Sequence, residues 1–265
     1  MEVKKVASYA LYRHPASAYE SERAGAGRGR FFAGYLPALV RAHLSVFHPG
    51  GLQMELRHDW NAKAFEYWPV IEKLWVQGLL DLHFMVRADT LCGSMLWRMM
   101  PLWDDKTDVF ICRDIDSLPT VRDLKAVDHW LEKGEAGIHA MHDSPSHSSA
   151  SLLGGMVGFR KDKVARPTAT FADFLLTAAG LTDLNQHGAD QIVLRMLFGR
   201  ERVHNDTTET LPKPEDPRDS CDGYARHIGG AYHAGPVAAW YDKTGQTHPA
   251  ILEAEKEVFG KPCGA

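Results

Sequence analysis

Nothing in the 265-residue chain approaches the roughly 18 consecutive apolar residues of a membrane-spanning helix. The opening residues, Met1 to Tyr9, lack the charged, apolar and small-residue regions of a signal peptide. No membrane span is therefore expected. Cysteine is scarce as well. Cys92, Cys112, Cys221 and Cys263 are scattered, without the paired spacing of a metal-binding ribbon. Cys112 falls in an apolar run that reads as core, so reduced thiols and a cytoplasmic setting are expected rather than a disulfide framework. An excess of either charge is also missing. Thirty Lys and Arg against 34 Asp and Glu leave a net charge of −4. That excludes a general polyanion binder, so no nucleic acid is expected as a partner, and an anionic substrate must be met by local groups. There is no internal repeat and no long low-complexity segment. What remains, 45% hydrophobic and 24% charged residues, suits one globular domain with ample core.

The most informative stretch is Asp108-Val-Phe-Ile-Cys-Arg-Asp-Ile-Asp-Ser117. Four consecutive apolar residues, two of them β-branched, predict a short strand buried on both faces, as in a parallel or mixed α/β sheet. Alternate residues of an extended chain point the same way, so Asp114 and Asp116 can present both carboxylates on one side. Two carboxylates so close repel unless a cation lies between them, and a hard divalent cation takes oxygen ligands. Such a cation can hold a diphosphate. The site expected is a metal–diphosphate site at the carboxyl end of a central strand, where open α/β sheets bind ligands. Asp-x-Asp also occurs as two solvated aspartates in a surface turn. Here a helix follows it, with Thr120 as N-cap, Asp123 three residues on, an apolar face of Val121, Leu124, Val127 and Leu131, and Gly134 as its stop.

Ahead of this motif the pattern predicts strand, helix, strand, helix, strand. The strands are Val6–Tyr12, Gln53–Asp59 and Leu79–Val86. The helices run from Phe31 to Phe47 and through Phe65, Trp68, Ile71, Leu74 and Trp75. Between the first strand and first helix, Glu20 to Arg30 is rich in Gly and Arg, either a loop that closes over phosphates or a solvated one. Leu91–Leu102 reads as a helix in which Arg98 is the odd member, either snorkelling to solvent or facing the site, where a guanidinium suits phosphate or carboxylate. Downstream, Ala136–Met141 predicts a strand leading to Asp143. Gly154 and Gly155 allow backbone to approach a ligand, or merely a bulge. Helices are expected over Phe171–Ala178 and Gln191–Phe198, with Asp190 either at the site or capping the second. The Pro-, Asp- and Thr-rich stretch after Val203, about 204–226, reads as irregular and lid-like.

These pieces resemble the GT-A-type glycosyltransferases, in particular bacterial and viral polysaccharide glycosyltransferase domains related in layout to glycogenin-like enzymes. The elements that carry the resemblance are Ser8-Tyr-Ala-Leu-Tyr12, Met95-Leu-Trp-Arg98, Arg113-Asp-Ile-Asp-Ser117, Ala126-Val-Asp-His-Trp130, His142-Asp-Ser-Pro-Ser-His147, Leu153-Gly-Gly-Met-Val-Gly158 and Ala189-Asp-Gln191. In this order they cover roughly residues 8 to 230. His142 stands where the family has Arg, and Ser144 replaces a His.

The resemblance implies a single α/β domain across 1–265, a mixed, mostly parallel sheet flanked by helices. It implies transfer of a sugar from a nucleotide-diphosphate sugar, UDP-sugar first, to a glycan or polysaccharide hydroxyl. Mn²⁺ or Mg²⁺ is the implied cofactor, held by Asp114, Asp116 and His227, with His233 as the alternative third ligand. Tyr9, Leu11, Tyr12, Arg98, Arg113, Asp114, Gly154 and Gly155 are the implied donor-binding residues. Asp143 and Asp190 are the candidates to act beside the sugar, Asp143 as base on a strand next to the metal strand, and Asp190 chiefly as a cap. Two other readings are a haloacid-dehalogenase-type phosphohydrolase, in which the first Asp of the motif is a nucleophile, and a non-catalytic sugar- or metal-binding module.

Overall fold

The computed structural model describes residues 3–12, 36–59, 63, 66–86, 90–115, 117–142, 152–186, 188–207 and 248–261. Strand β1 (Lys5–Leu11) starts the sheet, and helix α1 (36–47), whose last turn His43–Phe47 widens to a π-helix, leads to β2 (Leu52–His58). Helix α2 (Trp68–Val76) connects to β3 (Leu80–Phe84). Helix α3 begins as an α-helix at Leu91–Met95 and continues as a 3-10 helix over Leu96–Trp103. After it come β4 (Val109–Cys112), α4 (Val121–Lys133), β5 (Ile138–His142) and β6 (Val157–Arg160). Helices α5 (Phe171–Leu181) and α6 (Ala189–Phe198), β7 (Val203–Thr207) and α7 (Pro249–Phe259) follow.

The strands make one sheet in the order β3-β2-β1-β4-β6-β5-β7. Only β6 runs against its neighbours, β4 and β5, and the other pairs are parallel. The expected mixed, mostly parallel sheet flanked by helices is what forms. Strand alternation sorts the core into two layers. Ala7, Tyr9, Leu11, Met54, Leu56 and Ile111 pack with α1, α2 and α7 on one face. Val6, Phe110, Cys112, Ala140 and Phe159 pack with α3, α5 and α6 on the other.

Several sequence expectations shift. On α4 the expected stripe faces the core, with Val127 fully buried and Leu124 and Leu131 packed against it partly buried. Arg122, Asp123, Ala126 and Trp130 are buried as well, Asp123 being drawn inward by a buried partner described below. Trp75, expected on the inner face of α2, is 49% exposed. Pro101 lacks an amide proton and lies in the 3-10 part of α3. Residues 204–207 of the stretch expected to be irregular belong to β7, and the remainder of 204–226 lies outside the described residues. The Gly- and Arg-rich stretch at 20–30 lies outside them too. No helix among the described residues is long and apolar enough to cross a membrane.

The two ends of the chain meet in the first layer. Arg41 on α1 bonds Glu255 on α7 through Nη2 at 2.9 and 2.7 Å, and the Tyr67 hydroxyl donates to Glu255 at 2.7 Å. Both charged side chains are fully buried. Nearby, His43 donates from Nε2 to the Leu52 carbonyl at 3.0 Å, leaving Nδ1 to accept from the Tyr9 hydroxyl at 3.2 Å. Burial holds this imidazole neutral, with its pKa pushed down to about 3.

Candidate functional site

The carboxyl end of β4 splits its two charged residues between two directions. Arg113 donates to both carboxylate oxygens of Asp123, from Nε at 2.9 Å and Nη2 at 2.6 Å, and to the Cys112 carbonyl at 2.8 Å. Asp123 is at the same time the residue whose amide bonds the Thr120 side chain, the expected N-cap. The pair therefore pins the turn after β4 onto the first turn of α4. Arg113, a donor-binding candidate by resemblance, has its guanidinium committed to this brace.

Asp114 turns the other way. Its Oδ1 accepts from Arg98 Nη1, and Arg98 Nη2 donates to Asp190 Oδ2 at 3.0 Å. Arg98 and Asp190 are buried, whereas the Asp114 side chain is 40% exposed. Burial works against the Arg98 cation, but Asp114 and Asp190 outweigh it and hold its pKa above the ordinary guanidinium value. Of the two sequence readings of Arg98, the one facing the site is therefore the one the structure adopts. Asp190 does not cap α6. The N-cap is Gly188, which makes no side-chain cap bond, and the Asp190 carboxylate is spent on Arg98.

The glycine pair forms the floor of this cluster. A Cβ on Gly154 would collide with the Asp190 carboxylate and the Arg98 guanidinium, and one on Gly155 would collide with the Asp114 carboxylate. The glycines are there because charged side chains lie directly against their backbone. Tyr12 flanks the site. Its ring meets Trp97 edge-on at a centroid distance of 6.0 Å. Burial raises its pKa, with Arg98 opposing and Asp114 and Asp190 reinforcing the shift.

Five of the expected residues, Arg98, Asp114, Gly154, Gly155 and Asp190, thus converge, with Tyr12 beside them. Tyr9 and Leu11 do not join them through their side chains, which are buried in the opposite core layer by strand alternation. Asp116, Asp143, His227 and His233 lie outside the described residues. One positional expectation changes. The strand that precedes Asp143, β5, is not next to β4, because β6 lies between them. Two antiparallel steps make β5 parallel to β4, so both strands end at the same edge.

The divalent cation implied by the resemblance finds a partial fit. Asp114 is a half-exposed carboxylate above a cradle that a side chain at 155 would fill. Three residues on, the buried Ser117 hydroxyl has no hydrogen-bond partner among the described residues. Sequence reasoning overlooked a second polar group on the sheet. Glu55, Asp81 and His83 place their ligand atoms within 4.8 Å of one another. Two cations already meet these charges, since Arg57 bonds Glu55 at 2.7 Å and Lys4 lies 3.4 Å from Glu55 and 3.9 Å from Asp81. The signal was the alternation Gln53-Met54-Glu55-Leu56-Arg57, which puts charge on one face of an internal strand. Cys92 was also passed over. It is buried beside α6, donates to the Gln186 carbonyl at 3.2 Å, and has a pKa raised by burial and by Asp190.

No protein-family model matches the chain, and no characterised protein matches its sequence. Solved structures do. The chain is similar to a protein from Desulfovibrio desulfuricans assigned as a nucleotide-diphospho-sugar transferase, at 13% identity and TM-score 0.46, over 78% of this chain and 80% of that one. It is also similar to the mannosyltransferase PcManGT from Pyrobaculum calidifontis, solved with GDP-Man and Mn²⁺, at 11% identity and TM-score 0.45, over 96% and 69%. A third is TarS from S. aureus solved with UDP, at 10% identity and TM-score 0.43, over 77% and 62%.

Proposed function

We propose that the protein is a metal-dependent glycosyltransferase that moves a sugar from a nucleotide-diphosphate sugar, a UDP-sugar in the first instance, to a hydroxyl of a glycan or polysaccharide. The observation that carries this reading is the Asp114–Arg98–Asp190 cluster resting on Gly154 and Gly155 at the carboxyl edge of the sheet. Asp114, with Asp116 and His227 completing the set, would hold a Mn²⁺ or Mg²⁺ ion that neutralises charge on the departing diphosphate. Arg98 supplies a fixed positive charge at the same place. Gly154 and Gly155 let these charged side chains lie against the backbone where the donor would sit, and Tyr12 flanks them. Asp190 and Asp143 are the carboxylates proposed to act beside the sugar. Either takes the acceptor proton or stabilises cationic character at the anomeric carbon as its bond to the diphosphate oxygen breaks.

Calorimetric titration of UDP in the presence of Mn²⁺ tests the reading. Wild type should bind, and Asp114→Asn should lose the Mn²⁺-dependent part while keeping its fold by circular dichroism. Unchanged UDP affinity in the variant would end the assignment. Release of phosphate from simple phosphomonoesters, with no hydrolysis of UDP-sugars, would favour the phosphohydrolase instead.

A further inference from the structure

We infer that Arg98 is a built-in counter-cation that keeps bare divalent metal out, so that the site takes the metal and the nucleotide diphosphate as one unit. The inference rests on the glycosyltransferase reading for the identity of the diphosphate, but not for its electrostatics. Asp114 and Asp190 bring two negative charges to one place, and each is bonded to a different nitrogen of the same guanidinium. The three groups together carry a single net negative charge. A divalent cation approaching Asp114 alone meets a carboxylate already engaged by Arg98, and it must stand close to that cation. Arg98 has nowhere to withdraw, because its side chain is 5% exposed and Gly154 lies against its Nη2.

A diphosphate changes the balance. Its negative charges face both the metal and Arg98, so the repulsion between the two cations is exchanged for two attractions to the same anion. Binding of metal and nucleotide is then cooperative, and by linkage each tightens the other equally. Asp114 contributes the exposed end of the cluster and Asp190 the buried end, and this asymmetry directs the incoming ion to Asp114.

The test is Mn²⁺ binding followed by electron paramagnetic resonance, with and without saturating UDP, on wild type, Arg98→Met and Arg98→Lys. Without nucleotide, Arg98→Met should bind Mn²⁺ about 10-fold more tightly than wild type, within the usual span of coupled sites. Arg98→Lys, which keeps the charge, should stay near wild type. Bare-metal affinity in Arg98→Met equal to or weaker than wild type overturns the inference. Should that variant fail to fold, wild type decides: UDP must raise its Mn²⁺ affinity by about 10-fold, and equal affinities overturn it. The two readings fail separately. A wild type that binds no UDP sinks the glycosyltransferase, while a gain of bare-metal affinity in Arg98→Met still upholds the counter-cation.

Discussion

Arg113 and Asp114 are consecutive in the chain, yet they belong to two arginine–carboxylate clusters of opposite design. In the first, Arg113 and Asp123 are each 2% exposed and paired through both carboxylate oxygens. In the second, Arg98 is shared between a buried Asp190 and an Asp114 that is 40% exposed. The closed pair has its charge and geometry satisfied from within and ties a strand to a helix. The open cluster divides one cation between two carboxylates and leaves one of them facing outward. Burial of an ion pair by itself therefore says little about role, and the unevenness of burial within the cluster says much more.

The largest expected effect breaks the closed side. Arg113→Met strands the Asp123 carboxylate in the interior and should cost about 3–5 kcal/mol in urea denaturation. Arg98→Met strands the buried Asp190 carboxylate in the same way and should cost a comparable amount, but it alone should alter metal-dependent UDP binding. A change of UDP binding in Arg113→Met at retained fold would erase the distinction between the clusters.

Acid should discriminate next. Unfolded, His43 takes up a proton near pH 6.5, whereas in the fold its pKa lies at about 3. Between those values the unfolded chain binds the extra proton. The contribution of His43 is thus complete above pH 6.5 and is lost as pH falls toward 3, at up to about 1.4 kcal/mol per pH unit. His43→Gln should flatten that part of the stability–pH curve, and an unchanged slope would contradict the buried neutral imidazole.

A smaller effect separates glycines. Gly155→Ala drives a methyl group into Asp114 and should cost about 1–3 kcal/mol together with metal-dependent UDP affinity. Gly180, on α5, has nothing within 4 Å of an added Cβ. Gly180→Ala should stabilise the protein by about 0.5–1 kcal/mol in thermal melts and leave binding alone. A loss of binding there would mean that glycine substitution acts on this site indirectly.

The contrast also explains what could be read from the sequence. The β4 run and the Thr120 cap were legible because apolar continuity and a capping side chain act locally. The inward turn of Asp123 on α4 was not, because a periodicity argument places charged residues outside, and only the tertiary partner Arg113 brings it in. The cap alternative for Asp190 fails for a similar reason. A carboxylate in a helix's first turn has a local use as a cap, and its actual partner, Arg98, is 92 residues away. Strand β7 was hidden by its polar sequence, Val203-His-Asn-Asp-Thr207, at the end of the strand order, where one side lacks a strand neighbour among the described residues. Gly154 and Gly155 were identified, but not the carboxylates and guanidinium that make them necessary.

The Arg41–Glu255 contact has a consequence for the order in which the chain is made. The two residues are 214 positions apart, and helix α1 is complete long before α7 leaves the ribosome. Of the two, the Glu255 carboxylate that meets Arg41 at 2.7 Å is therefore the later to appear. The first core layer gains this contact only after Pro249–Phe259 has joined it, so its packing couples segments made far apart in time. A chain stopped short of Glu255 would lack the buried carboxylate that both Arg41 and the Tyr67 hydroxyl bond.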